Sequence, residues 1–139
     1  MRTFSARIKI DCPPDVIWSV LTDADRYSEW AGGIHRLTGQ LVNGEVLQLS
    51  TKSKPQRPMS LVVNRLVPPK TFTLSGGLPL NLFRGDRTFT LTQNLDGTTE
   101  FSVSEVFRGL LEPLLGRILP DLTPSLEAFA ADLKQRCER

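Results

Sequence analysis

The fold is decided between residues 84 and 107, where the sequence is RGDRTFTLTQNLDGTTEFSVSEVF. Apolar and polar side chains alternate on both sides of Leu95-Asp96-Gly97, and this period of two predicts two strands that each bury one face. A three-residue loop with glycine in the left-handed conformation pairs residue 94 with residue 98. The same register places Arg87 opposite Glu105 on the inward face. It also pairs the apolar side chains of that face, Leu91 with Phe101 and Phe89 with Val103.

Upstream of this hairpin, turn residues divide the chain into one strand, two short helices and further strands. Alternation from Thr3 to Ile10 predicts the first strand, and Pro13-Pro14 ends it because proline has no backbone donor. The second of the two short helices ends at Gly32-Gly33. A second hairpin turns at Asn43-Gly44 and pairs residue 41 with 45, 37 with 49 and 35 with 51. The stretch from Met59 to Val67 predicts a further strand.

Downstream of Gly109 the apolar period changes from two to about 3.6, which indicates helix. Thr123 as the cap and Pro124 in the first turn predict a final helix that runs to Cys137. At about 1.5 Å per residue this helix is long enough to cross a sheet. Strands with one apolar face need a covering layer, and this helix is the only long candidate. The predicted fold class is α+β, an antiparallel sheet of about seven strands curled around a C-terminal helix.

The composition fits a single domain over residues 1–139, because 40% of the residues are hydrophobic and 23% are charged. The net charge is only +2, so nucleic acid is not an expected partner, and the basic stretch TKSKPQRP (51–58) predicts a solvated turn. One histidine and two distant cysteines predict no metal site and no cofactor. No apolar run approaches about 18 residues, so we expect no integral membrane segment. Two lone cysteines favour free thiols and a cytoplasmic location.

Three stretches carry a family resemblance: IDCPPDVIWSVLTDADRYSEW (10–30), LFRGDRTFTL (82–91) and TTEFSVSEVFRGLL (98–111). Together with the order of strands and helices, they resemble the START-like (SRPBCC) superfamily. This superfamily has the helix-grip fold and includes birch-pollen allergens, lipid-transfer domains and polyketide cyclases. Within it, the stretches are similar to the bacterial polyketide cyclase/dehydrase-like branch. The resemblance indicates the fold more than the reaction, because one fold hosts many functions.

The resemblance implies a cavity between the concave sheet and the long helix that holds a hydrophobic ligand. The apolar residues alone predict a filled core equally well, so both interpretations stay open at this point. The ligand-binding residues that we expect are Trp30, His35, Leu49, Leu74, Arg87, Phe89, Val103, Glu105, Phe107, Leu115 and Phe129.

Arg87, Glu105 and His35 are the candidates for polar or catalytic roles. Desolvating an inward ion pair costs several kcal/mol per ion, so such a pair is more typical of a ligand anchor than of a stabilising device. The alternative is that Arg87 and Glu105 satisfy each other near the edge of the sheet. Histidine is the side chain best suited to acid–base catalysis near neutral pH, and its odd position places His35 on the inward face. A hydrogen bond from His35 to backbone or water is the simpler explanation.

The first functional hypothesis is a binder of a small hydrophobic molecule, lipid-like or aromatic, in the central cavity. The alternative is a cyclase- or dehydratase-like enzyme that uses the same cavity, with Arg87, Glu105 or His35 in proton transfer. A third hypothesis starts from residues 76–83, GGLPLNLF, an apolar segment beside flexible glycines. Such a segment is typical of a lid or of a contact surface, including a homodimer interface.

Overall fold

The computed structural model describes residues 2–80, 82–115 and 117–139. The strands are β1 (Arg2–Ile10), β2 (Ile34–Thr38), β3 (Val46–Thr51), β4 (Lys54–Val67), β5 (Thr71–Leu78), β6 (Phe83–Gln93) and β7 (Thr99–Arg108). The helices are α1 (Pro14–Leu21), a 3-10 helix (Ala24–Glu29), the single turn α2 (Glu112–Leu115) and α3 (Thr123–Cys137). None of these helices of the described residues is long and apolar enough to cross a membrane.

The seven strands of the described residues form one antiparallel sheet in the order β1-β7-β6-β5-β4-β3-β2. Strands from β2 to β7 therefore pair with their neighbours in sequence, while β1 pairs with β7. The helix α3 packs mainly on β1 and also touches β7 and α1. It buries Leu126, Ala130 and Leu133. This confirms the predicted α+β fold, a curved antiparallel sheet around a C-terminal helix.

The hairpin of β6 and β7 has the register that the sequence predicts. At its turn, Asn94 N donates to Thr98 O at 2.8 Å, and Gly97 adopts the left-handed conformation with φ of 89°. The observed pairs on the inward face are Leu91 with Phe101, Phe89 with Val103 and Arg87 with Glu105. The apolar members of these pairs are buried. Alternation and turn chemistry together are therefore enough to fix this part of the sheet.

The hairpin of β2 and β3 follows its prediction in part. Leu37 pairs with Leu49 as expected. The prediction that residue 35 pairs with residue 51 is wrong, because a β-bulge lies between Ile34 and Arg36 and Ile34 takes Thr51 as its partner. A bulge inserts one residue and breaks the alternation of faces. His35 is that inserted residue, and its side chain is exposed instead of inward.

The strand β4 begins earlier than predicted. Only Lys52 and Ser53 form a turn, and Lys54 already starts the strand, so most of the basic stretch is an exposed β-arm and not a turn. The pairing of β4 with β5 reaches no further toward the arm than Val62 with Ser75. Two prolines are tolerated in this arm because its outer edge has no neighbour that needs their missing N–H groups.

The start of α3 differs from its prediction in one detail. Thr123 is the first helical residue, and the residue before it, Leu122, makes no side-chain capping bond. The side chain of Asp121 accepts a hydrogen bond from Thr123 N at 2.9 Å instead. This backbone hydrogen bond lowers the pKa of the Asp121 carboxyl. Pro124 lies in the first turn, as expected.

The C-terminal end of α3 is fastened to the end of β1. Asp11 N donates to Glu138 Oε2 at 2.7 Å, Lys134 Nζ donates to Lys9 O at 2.9 Å, and Cys12 Sγ contacts Cys137 O at 2.8 Å. Both cysteines are free thiols, as predicted. Three attachments within one helical turn fix this end of α3 to the sheet.

On the outer face of the sheet, Asp86 is the centre of a polar cluster. Its side chain is only 9% exposed, and Oδ1 accepts hydrogen bonds from Ser75 Oγ at 2.5 Å and Arg84 Nε at 2.9 Å. Arg108 Nε lies 3.4 Å from Oδ2. Burial alone raises the pKa of Asp86, but these hydrogen bonds and the two arginine charges outweigh it and hold the pKa below its ordinary value.

We expect Asp86→Asn to lower the free energy of unfolding at pH 7 by about 1–3 kcal/mol, because it removes a buried, hydrogen-bonded charge. The lowered pKa means that this stabilisation is complete above the ordinary aspartate pKa of about 4 and disappears as the pH falls through the lower native value. Urea unfolding of the wild type and the variant at pH 7 and in acid measures both effects. Glu45→Gln, an exposed carboxylate, is the control. A difference between Asp86→Asn and wild type that persists undiminished in strong acid contradicts the assignment.

Candidate functional site

A cavity of about 540 Å³ lies between the concave face of the sheet and α3. This volume falls within the range of about 300–1,000 Å³ that small-molecule sites occupy. The wall is mostly apolar and comes from the 3-10 helix, from β2 to β7 and from α3. Its residues are Tyr27, Ile34, Leu37, Leu49, Met59, Ser60, Leu61, Leu74, Gly76, Gly77, Phe83, Gly85, Arg87, Phe89, Glu105, Phe107 and Phe129.

Two glycines in the wall allow neighbouring side chains to approach the backbone closely. Gly76 of β5 pairs with Gly85 of β6, so two adjacent positions of the inward face carry no side chain. A Cβ at Gly85 would lie 3.0 Å from a ring carbon of Phe107 and 3.2 Å from Glu105 Oε1. A Cβ at Gly76 would lie 2.9 Å from Leu61 Cδ2. Both Cβ atoms would be closer than ordinary contact to side chains of the wall, so the paired glycines let Leu61, Glu105 and Phe107 pack directly over the backbone.

The rings of Tyr27 and Phe129 close the inner end of the cavity, and Trp30 packs behind them. Trp30 lies against Tyr27 and Phe129, with ring centroids 4.8 and 5.2 Å away. The buried hydroxyl of Tyr27 donates to Leu21 O at 2.6 Å. Burial raises the pKa of Tyr27 well above its ordinary value, although the nearby charge of Arg87 acts in the opposite direction. Tyr27 is therefore a neutral phenol, and its hydroxyl proton is already donated to the backbone carbonyl of Leu21.

Two polar contacts hold this aromatic group in place from the side of α3. Gly32 N donates to Asp132 Oδ2 at 2.9 Å. Arg136 Nη2 and Glu29 Oε1 form an ion pair at 2.8 Å. The last residue of the 3-10 helix and the segment that follows it are thus both attached to α3.

An ion pair interrupts the apolar wall. Arg87 Nε donates to Glu105 Oε2, and the side chains are 31% and 13% exposed. Their register on neighbouring strands brings them together directly. Among the residues that the structure describes, the Nη groups of Arg87 have no hydrogen-bond partner. The pair therefore offers N–H donors and a carboxylate oxygen to the interior of the cavity.

Seven of the predicted ligand-binding residues lie on the cavity wall: Leu49, Leu74, Arg87, Phe89, Glu105, Phe107 and Phe129. Trp30 lies behind the wall, where it packs on Tyr27 and Phe129. Val103 is in the filled core at 1% exposure. Leu115 belongs to α2 and does not line the cavity, and His35 lies in a separate polar depression on the surface.

The sequence analysis missed the paired glycines, although a signal for them exists. The segment GGLPLNLFRG contains glycine on both sides of an apolar turn. Aligning β5 with β6 across that turn places Gly76 beside Gly85, as observed. Tyr27 and Phe83 were also outside the predicted set, because their contribution depends on how the 3-10 helix and the hairpin fold over the sheet.

Comparison with known proteins adds three findings. Residues 1–138 match the family model described as polyketide cyclase / dehydrase and lipid transport. Protein MLL2253 from Mesorhizobium loti superposes with a TM-score of 0.71 at 22% identity, covering 99% of this chain and 98% of that one. A START superfamily protein from Mycobacterium smegmatis superposes with a TM-score of 0.71 at 15% identity, covering 98% and 97%.

A further similar structure is the di-domain ARO/CYC protein BexL from the BE-7585A biosynthetic pathway. Its TM-score is 0.71 at 14% identity, and the match covers 99% of this chain and 50% of BexL. No curated protein sequence matches the chain significantly. At these identities the structural likeness establishes the fold alone, and it confirms the helix-grip architecture.

The ion pair makes a testable energetic prediction. We expect Arg87→Met and Glu105→Gln each to lower the free energy of unfolding by about 1–3 kcal/mol, because each leaves a partly buried polar partner unpaired. The double variant should cost less than the sum of the two. Urea denaturation of the four proteins gives the coupling energy.

The matched control is the pair Arg7 and Glu100, which lies 3.6 Å apart with side chains 75% and 43% exposed. Arg7→Met and Glu100→Gln should change the stability by less than about 0.5 kcal/mol and show little coupling. Strictly additive costs for Arg87 and Glu105 would contradict the assignment of a direct, partly desolvated ion pair.

Proposed function

Because the chain belongs to the polyketide cyclase, dehydrase and lipid transport family, we propose that it binds a small hydrophobic molecule in the cavity between the sheet and α3. The ligand is lipid-like or aromatic and polyketide-like. One end is apolar and packs on Phe89 and Phe129. The other end carries an oxygen, as a carbonyl, phenolate or carboxylate, and faces Arg87.

The single observation that supports this proposal is an open apolar cavity with one ion pair in its wall. Burying roughly 300 Å² of apolar ligand surface contributes about 7 kcal/mol. Association itself costs about 4 kcal/mol or more. Apolar contact alone thus leaves weak binding, and a charge-assisted hydrogen bond of about 1.5–3 kcal/mol from Arg87 provides both affinity and orientation.

Blocking the cavity tests the binding site. The probe is 1-anilinonaphthalene-8-sulfonate, whose fluorescence rises in apolar surroundings and whose sulfonate suits Arg87. Leu49→Trp fills space in the wall, and we expect it to weaken probe binding at least about tenfold. Val46→Trp adds the same bulk to the opposite, exposed face of β3 and is the matched control. Equal probe affinity in both variants would exclude this cavity as the site.

The polar anchor is tested by the same titration. We expect Arg87→Met to weaken binding of the anionic probe by roughly tenfold, in line with the loss of one charge-assisted hydrogen bond. Glu105→Gln keeps Arg87 and removes a carboxylate that repels the anionic probe, so it should not weaken binding. Circular dichroism verifies that both variants are folded. Unchanged affinity in both folded variants would show that Arg87 and Glu105 are not part of the binding site. Separately, native mass spectrometry of gently purified protein identifies any bound molecule.

A second candidate function is a cyclase- or dehydratase-like reaction in the same cavity. Glu105 favours it, because a carboxylate beside an arginine inside an apolar cavity suits abstraction of a proton next to a ligand carbonyl that Arg87 polarises. His35 has no role in this reaction, because its side chain is exposed outside the cavity.

Proton exchange distinguishes the enzyme from the binder. Phenylacetone in D2O carries exchangeable protons next to its carbonyl, and proton NMR follows their loss. An enzyme should accelerate this exchange in the wild type, and Glu105→Gln should abolish the acceleration while retaining the fold. A wild-type protein that binds phenylacetone without accelerating exchange is a binder for this class of ketone.

A further inference from the structure

One end of the sheet collects several turns and the short helix α2. Antiparallel strands alternate in direction, so the β3–β4 turn, the β5–β6 turn and the end of β7 lie at the same end of the molecule. We call this the open end and define it as residues 52–60, 77–80, 83–84, 108–115 and 117–118. The cavity reaches it, because Met59, Gly77 and Phe83 belong to the cavity wall.

The open end carries exposed large apolar side chains on separate turns. Leu80 is 86% exposed on the β5–β6 turn, while Leu110 is 77% and Leu114 67% exposed around the start of α2. A hydrogen bond from Leu111 N to Leu82 O at 2.7 Å holds these two segments together. The leucines therefore lie on neighbouring segments of one surface. Their exposure to solvent does not contribute to the stability of the fold.

The backbone at Leu80 strengthens this point. Leu80 has a φ of 61°, in the left-handed region. This conformation suits glycine or asparagine and costs free energy at a leucine. An exposed leucine in a strained conformation stabilises neither the turn nor the core, so its side chain has another use.

Positively charged side chains lie at the same end of the molecule as these leucines. Lys52, Lys54 and Arg57 are exposed on the β3–β4 arm and Arg117 is exposed near α2, while Arg108 is exposed but pairs with Asp86. Most of the carboxylates in and near the open end are buried or paired with arginine. Asp86 and Glu112 are buried, and Glu105 pairs with Arg87 in the cavity. Asp121 is exposed close to the base of α3. Because the net charge of the chain is only +2, this excess is local.

We propose that the open end docks on the surface of an anionic lipid bilayer. Leucines on separate convex turns enter the boundary between headgroups and acyl chains, and the exposed lysines and arginines contact anionic headgroups. A flat, continuous apolar face would suit a protein partner better than these separate tips. The cavity opens among the docking residues, so an apolar molecule passes between the bilayer and the cavity without crossing bulk water.

Vesicle co-sedimentation of the full chain tests the docking surface independently of any cavity ligand. We expect the protein to sediment with vesicles of equal parts phosphatidylglycerol and phosphatidylcholine at low salt, and much less with pure phosphatidylcholine. The variant Leu80→Ser/Leu110→Ser should reduce the partition coefficient about 100-fold, roughly tenfold for each leucine. Leu95→Ser, fully exposed on the β6–β7 turn at the opposite end, should leave it unchanged.

The role of the positively charged side chains on the β3–β4 arm is tested in the same assay. Lys52→Ala/Lys54→Ala/Arg57→Ala should reduce binding to the anionic vesicles about 100-fold, roughly fivefold for each charge. Lys70→Ala, in the turn between β4 and β5 at the opposite end, is the control. High salt should weaken the wild type toward the level of this triple variant.

Three outcomes overturn the proposal. The first is failure of the folded wild type to sediment with the anionic vesicles at low salt. The second is an equal loss of binding in Leu80→Ser/Leu110→Ser and Leu95→Ser. The third is a wild-type dimer by light scattering that becomes a monomer in Leu80→Ser/Leu110→Ser without vesicle binding, which assigns the surface to a second copy of the chain. Loss of probe binding in the cavity variants leaves vesicle binding intact, so the two proposals fail separately.

Discussion

The register between β6 and β7 governs the whole inward face of the sheet. A slip by one residue would turn Phe89 and Phe101 outward and bring threonine and serine into the core. The register also determines the chemistry of the cavity, because it places Arg87 beside Glu105 and Gly85 beside Phe107. A charged anchor and the close packing of the Phe107 ring over a glycine thus arise from a single alignment of two strands.

The inward face is divided into a filled part and an open part. Toward the β6–β7 turn, Phe101 and Val103 are almost fully buried, and α3 contributes Leu126 and Leu133 to the same core. Each such side chain stabilises the fold by about 1.5–3 kcal/mol. Toward the opposite end, the inward face carries glycines and partly exposed side chains, and the cavity lies over this part of the sheet. The two parts share buried side chains such as Leu74 and Phe89, which belong to the core and also line the cavity. Only the partly exposed positions of the wall can therefore change with little effect on the fold.

Local patterns in the sequence were sufficient for much of this arrangement. Alternation, a three-residue turn and the requirement for a covering helix predicted the fold and brought Arg87 to Glu105. They failed where one residue departs from the regular pattern, as at the bulge that exposes His35. They also left undecided whether the apolar face encloses a cavity, because that depends on how side chains from six strands, the 3-10 helix and α3 meet in space.

The fastening of α3 has a mechanical consequence. Attachments from Asp11, Cys12 and Lys134 hold its C-terminal turns against β1, whereas its first turn is held by the local bond of Asp121 and by packing. Because Leu126 and Ala130 in the following turns are almost fully buried, we expect any movement of α3 to be confined to its first turn and to leave both the core and the cavity wall at Phe129 in place.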